Sequence, residues 1–148
     1  MQTKLLVDGE QRTWALVYGT GEAVVAPLIG FAEEHGLSAS EFAAIGAFRE
    51  ATLGYFNLER KEYDELPVQE QVEVLSLSGH VTREPDGAPN IHAHVVLGKA
   101  DGAAVGGHLI EAIVRPTLEV VLSEAPAQLR RRKDPATGLA LLDLRASE

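Results

Sequence analysis

Three of the five histidines fall in one short window: His92 and His94 within Ile91-His92-Ala93-His94-Val95, and His108 within Gly106-Gly107-His108-Leu109. In an extended strand, residues two apart point to the same face, so His92 and His94 are neighbours on one side. Where His108 falls depends on the hairpin between them. A three-residue loop, Ala100-Asp101-Gly102, with Gly102 in the left-handed conformation, pairs Lys99 with Ala103 and sets His94 opposite His108. Opposed β-carbons are ~5 Å apart, close enough for three imidazoles to converge on one ion. A two-residue loop, Asp101-Gly102, throws His108 to the opposite face instead. The first register leaves Ile91, Ala93, Val95, Leu97, Val105 and Leu109 together on the other side, an apolar set fit for a core. Three neutral imidazoles suit zinc or another divalent transition metal, with one position left for water, a carboxylate or a ligand. The plainer alternative is a set of polar residues on a half-solvated strand. His80, after Ser78-Gly79, is a possible further ligand but reads more simply as a solvent-facing strand end. His35 reads as a charge–dipole partner at a helix C-terminus.

The elements that must position these residues are mostly strands. Asp8-Gly9 marks a turn before a strand through Trp14, Leu16 and Tyr18. Thr20 can cap a helix running towards His35, with Val25, Leu28, Ile29 and Ala32 on its buried stripe and Gly36 as its C-terminal cap. Pro27 requires that this helix be kinked or start late. Ser38 and Glu41 have capping-box spacing for one further short turn. Strands are then expected over residues 42–48, 51–58, 72–81, 91–97, 104–110 and 117–122, with residues 59–65 as a returning edge strand and residues 83–90 as a hairpin loop. Over residues 72–81, alternation puts Val72, Val74 and Ser76 on one face and Glu73, Leu75 and Leu77 on the other. Consecutive strands favour an α+β fold, a largely antiparallel β-sheet with one main helix and short helical turns, over a doubly wound parallel one.

The chain has 148 residues, 45% hydrophobic and 24% charged, with no cysteine and a net charge of −9. That length suits one domain. Without cysteine, a disulfide scaffold, a thiolate metal site and a cysteine nucleophile are all excluded. The apolar runs are shorter than the ~18 residues a membrane span needs, so the expectation is a cytoplasmic protein without membrane contact. The acidic balance opposes a general nucleic-acid coat, which needs lysine and arginine to release counterions. The one basic run, residues 130–133, reads as a solvated surface segment beside Asp134 before it reads as a phosphate grip. The scattered aromatics Trp14, Tyr18, Tyr55 and Phe56 read as strand residues.

Competing signatures fail. A cupin follows H-x-H with a glutamate three or four residues on, and here Gly98 and Lys99 occupy the near positions. The H-E-x-x-H pattern, the Walker A loop and the G-x-S-x-G elbow are absent. Gly19-Thr20-Gly21 lacks the third glycine of a dinucleotide loop, Val24 standing there.

Taken in order, residues 46–56 (Gly-Ala-Phe-Arg-Glu-Ala-Thr-Leu-Gly-Tyr-Phe), 73–79 (Glu-Val-Leu-Ser-Leu-Ser-Gly), 92–98 (His-Ala-His-Val-Val-Leu-Gly), 105–109 (Val-Gly-Gly-His-Leu) and 117–120 (Thr-Leu-Glu-Val) resemble the PPC (plants and prokaryotes conserved) domain. The resemblance runs from about Thr13 to Leu122, and residues 133–139 are similar to the tail of bacterial members. It implies an α+β fold around an antiparallel sheet, assembled as a homotrimer, with residues 1–125 as the PPC-like domain. Residues 126–148 would be a C-terminal tail packing on the body or a neighbouring subunit. It further implies a metal on His92, His94 and His108, whereas His80 departs from the asparagine expected after Ser-Gly. In plant members the segment matching residues 71–75 mediates contacts with other proteins, and an AT-hook supplies DNA affinity. This chain has no R-G-R-P hook, so direct nucleic-acid binding is disfavoured despite the DNA-binding label that prokaryotic relatives carry.

The leading expectation is thus a homotrimeric PPC-domain protein with a divalent metal, zinc first, on His92, His94 and His108. Its role would be regulatory or binding, with other proteins or a small ligand as partners. The alternative is a metal-dependent enzyme acting on a small molecule, with Glu111 or Glu119 as general base.

Overall fold

The alternating segments do form strands, and they join into longer ones than the turn signals suggest. In the computed structural model, which describes residues 1–147, the order is β1 (Gln2–Val7), β2 (Thr13–Gly19), α1 (Val25–Glu34), β3 (Ser40–Asn57), β4 (Glu62–Val68), β5 (Val72–Arg83), β6 (Pro89–Gly98), β7 (Ala104–Glu124), β8 (Arg131–Lys133) and β9 (Ala140–Leu142). Seven strands form an antiparallel sheet in the order β1-β2-β7-β6-β5-β3-β4, and β3 also pairs with β7. That extra pairing closes β3, β5, β6 and β7 into a ring. The fold is mostly antiparallel sheet with a single short helix.

Closure depends on the two long strands. The segments expected at residues 42–48 and 51–58 are one strand, β3, and those expected at 104–110 and 117–122 are one strand, β7. Register shifts along the β3–β7 ladder, and one between Ala44 and Gly46 against β5, let these strands bend without ending. One edge of β7 takes β6 at residues 104–108 and β2 at residues 117–123, while its other edge runs along β3.

One face of the sheet builds the core with α1. Leu16, Tyr18, Phe48, Leu53, Leu77, Leu97, Leu118 and Leu122 are fully buried there, and Leu28, Phe31 and Ala32 come from the helix. A shift in the β5–β6 register between Val74 and Ser76 breaks the expected alternation of β5. Leu77 is buried with Val72 and Val74, and Leu75 is left 56% exposed.

Two local expectations are corrected, and of the two alternatives for Pro27 the late start is found. Thr20 does not cap the helix: its Oγ1 donates to the Pro116 carbonyl, and α1 begins at Val25. Pro27 thereby falls in the first turn, where a missing N–H breaks no intrahelical bond, so no kink is needed. The helix start is capped from outside, by Glu111 of β7. The Ser38–Glu41 capping box forms no helical turn; β3 starts at Ser40, and among the described residues α1 is the only helix. Gly36, with φ +67, follows the helix as expected, and the His35 ring packs between Trp14 and Phe31 at centroid distances of 4.4 and 4.3 Å.

Candidate metal centre

The hairpin that decides the histidine geometry takes the three-residue loop. The Lys99 N–H donates to the Ala103 carbonyl and the Gly102 N–H to the Lys99 carbonyl, with Gly102 at φ +84. Ala103 N–H donates to the Asp101 carboxylate at 2.9 Å, which secures the turn. His94 therefore stands opposite His108, and His80 opposite His92. On the other side, Ala93, Val95, Leu97 and Leu109 are buried in the core with Ile91 and Val105 packed against it. Burial of that apolar face pins the register, since a one-residue slip would turn every histidine inward.

The three imidazoles meet. Ring centroids lie 5.0 Å apart for His92–His94, 5.3 Å for His92–His108 and 5.6 Å for His94–His108. One nitrogen from each ring lies within 4.8 Å of the other two. His94 is exposed, and His92 and His108 are partly buried. Tyr63 of β4 stacks on His108 at 4.7 Å and 28°. Gly54 of β3, the residue opposite His108, makes room for that ring: a β-carbon there would come within 2.7 Å of Tyr63 Cδ1.

Two further features bear on whether these residues suit an ion. His108 Nδ1 is buried with no hydrogen-bond partner among the described residues, and a bound cation is one of the few groups that would satisfy it. Both inner histidines are also held in the neutral form that a metal requires. Burial is the main cause for His92, with help from Arg131 and the other histidines, and pushes its pKa down to about 4. Burial likewise lowers His108, followed by His94 and Arg131. The donor set fits a borderline divalent ion with a fourth position open.

Other candidates are not brought in. His80 is exposed on the strand beside His92 and does not belong to the cluster. Glu111 is committed elsewhere: its Oε1 accepts the backbone N–H groups of Val24, Val25 and Ala112 at 3.0, 2.9 and 2.9 Å. Glu119 stands opposite Val17 and Ile45 in the half of β7 remote from His108. Neither carboxylate is placed as a general base. The basic run is not uniformly solvated. Arg131 is buried, donating to Thr82 Oγ1 at 2.8 Å and to the Ala140 carbonyl at 2.7 Å, and Arg132 pairs with Asp143 at 3.1 Å. Nothing in the local sequence separates Arg131 from its charged neighbours; only the β8–β9 hairpin turns it inward. The tail reaches the body through the Arg83 N–H, which donates to the Leu129 carbonyl.

Residues 7–126 match the family model of the Plants and Prokaryotes Conserved (PCC) domain. A metal-containing protein from Archaeoglobus fulgidus has the same fold at a TM-score of 0.82 and 37% identity, covering 97% of this chain and 99% of that one. A protein from Bacteroides thetaiotaomicron, described as a candidate for DNA binding, superposes at a TM-score of 0.86 and 27% identity over 97% of this chain and 98% of that one. The bifunctional protein GlmU of Synechococcus sp. (strain JA-3-3Ab) is 33% identical over 136 residues, which are 90% of this chain and 20% of that protein. The chain thus spans a fifth or less of the length of the curated relatives it matches, 20% of one and 14% of another. Among the described residues, no helix is long and apolar enough to cross a membrane.

Proposed function

Since this chain belongs to the Plants and Prokaryotes Conserved domain family, we propose that it is a homotrimeric metal-binding module with a regulatory or binding role. His92, His94 and His108 would hold one divalent transition ion, zinc before others. The observation that carries this reading is the convergence of three imidazole nitrogens, one each within 4.8 Å of the other two. The metal-containing relative from Archaeoglobus fulgidus supports it. When bound, the ion would supply a Lewis-acidic position open to a ligand. The chain's own residues hold His92 and His108 neutral, fix the faces of the three imidazoles by strand register and shelter one side beneath Tyr63.

The trimer is argued from surface chemistry. Ile45, Leu66, Leu75, Val96 and Val121 are between 43 and 62% exposed on strands, and β1 and β4 end the sheet. Apolar strands with open edges invite association. Residues 1–125 would be the associating domain and residues 126–148 a tail that covers part of its own body. The segment at 71–75, with Leu75 exposed, is the natural surface for contacts with other proteins, in the cytoplasm.

Direct DNA binding, which the Bacteroides relative's description suggests, is not part of this reading. Of the basic run, Arg131 is buried and Arg132 is paired, and the net charge is −9. The alternative, a metal-dependent enzyme acting on a small molecule, draws support from the cleft beside His92 and His108. Two measurements on protein purified without a nickel column test the proposal. Elemental analysis should find one transition ion per chain, and light scattering should give three chains per particle. A metal-free protein removes the centre, and a clean monomer removes the trimer.

A further inference from the structure

The cleft beside His92 and His108 has a volume of about 230 Å³ and is walled by these two imidazoles with Tyr63, Asn90, Arg131 and Ala140. Arg131 comes from β8, beyond residue 126 where the family match ends. The domain therefore supplies the histidines, and the tail supplies a guanidinium to the same cleft.

That guanidinium lacks a counter-charge. Arg131 is 8% exposed, and both acceptors it reaches, the Thr82 hydroxyl and the Ala140 carbonyl, are neutral. Among the described residues, no carboxylate pairs with it. Glu84 acts on it only from a distance, and the Glu84 carboxylate already accepts a hydrogen bond from the Asn90 amide. Nη2 makes no hydrogen bond among the described residues. A cation buried against neutral acceptors alone is costly unless an anion joins it. The imidazoles add no negative charge to offset a divalent ion, and with His92 and His108 lining the cleft, an ion on the three histidines would add positive charge beside it. Two positive groups facing one small cleft call for a ligand with at least two oxygens and a negative charge.

Resting on the metal centre proposed above, we infer that the cleft binds a small molecule through an oxyanion, a carboxylate or phosphate group held between the ion and Arg131. Arginine suits the task because its planar fork meets such groups with two parallel donors. Thr82 and Ala140 hold that fork in place, and the Tyr63 ring gives the ligand an apolar wall.

Cobalt(II)-loaded protein tests this, because the visible bands of the ion report any new ligand. The bands are followed while inorganic phosphate or acetate is added, with chloride at matched ionic strength as control. Either anion should shift the bands, and the one effective at lower concentration identifies the group. In Arg131→Gln the apparent affinity should fall at least about tenfold, the loss expected for a charge-assisted hydrogen bond, with cobalt content unchanged. If that variant does not fold, Thr82→Val, which removes only the acceptor of Nε, should weaken anion binding several-fold. Bands that neither anion moves, or affinities equal in wild type and variant, overturn the anion site and leave the metal centre standing. Wild-type protein that takes up no cobalt overturns the metal centre, and the anion site with it.

Discussion

Replacing Glu111 by alanine separates the two roles that a carboxylate near a metal centre could have. In the structure its Oε1 accepts three backbone N–H groups at the start of α1 and on β7. Val24 keeps a second acceptor, the Ala112 carbonyl at 3.1 Å, so two N–H groups, those of Val25 and Ala112, lose their side-chain partner. Hydrogen bonds to a charged group contribute about 1.5–3 kcal/mol each, and a carboxylate at a helix N-terminus adds ~0.3–1 kcal/mol. Water can reach the partly buried Val25, which offsets part of the loss, so the net cost is about 2–3 kcal/mol. For a chain of this size that lowers Tm by roughly 5–10 °C. Glu111→Gln keeps an acceptor oxygen and loses the charge, so it should fall between. Urea and thermal melts give the stability, and zinc competition against a chromophoric chelator gives the affinity for the ion. Unchanged affinity with lowered stability is the expected pair. A variant as stable as wild type, or one that folds fully and loses the ion, would refute the assignment of Glu111 as a helix cap.

Histidine removal should act in the opposite sense. His92→Ala or His108→Ala should weaken zinc more than the ~10–100-fold typical of losing a ligand's supporting partner, while His80→Ala should leave zinc affinity within about twofold; isothermal competition reads both. Gly54→Ala should drive Tyr63 off His108 through the 2.7 Å contact its β-carbon would make, seen as a lost upfield ring-current shift of the His108 protons and weaker metal retention. In metal-free protein, stability should fall as pH drops below the ordinary histidine value of 6.5 towards about 4. Across that window the unfolded chain takes up a proton that folded His92 refuses. The loss is on the order of 1–2 kcal/mol after allowing for partial solvent access. Urea melts of chelated protein near neutrality and at pH about 5 check it; equal midpoints would show that His92 is not held neutral by the fold.

The meeting of the three histidines was legible in the sequence because it depends on strand periodicity and one turn. The H-x-H spacing fixes a common face, Gly102 marks the left-handed turn position, and the apolar partners Ala93, Val95, Leu97 and Leu109 decide the register. Those are local or pairwise constraints. The ring of strands was not legible, because its closure rests on β3 and β7 running on through bulges, and the charged pair at residues 49–50 and Pro116 in the bulge of β7 read as breaks. Leu77 was assigned to the wrong face for the same reason: one bulge reverses the alternation beyond it. Glu111 and Arg131 mislead in a different way. Each is a charged residue on a strand, and only long-range packing, against the α1 start and the Thr82 hydroxyl respectively, turns it from a solvated group into a partner of the fold.

Anomalous diffraction at the zinc edge from crystals of untagged protein shows whether His92, His94 and His108 share an ion. One anomalous peak per chain is expected, bonded to a nitrogen of each of the three imidazoles at ~2.0–2.1 Å. No peak there after growth in zinc, or a peak held by other side chains, would contradict it.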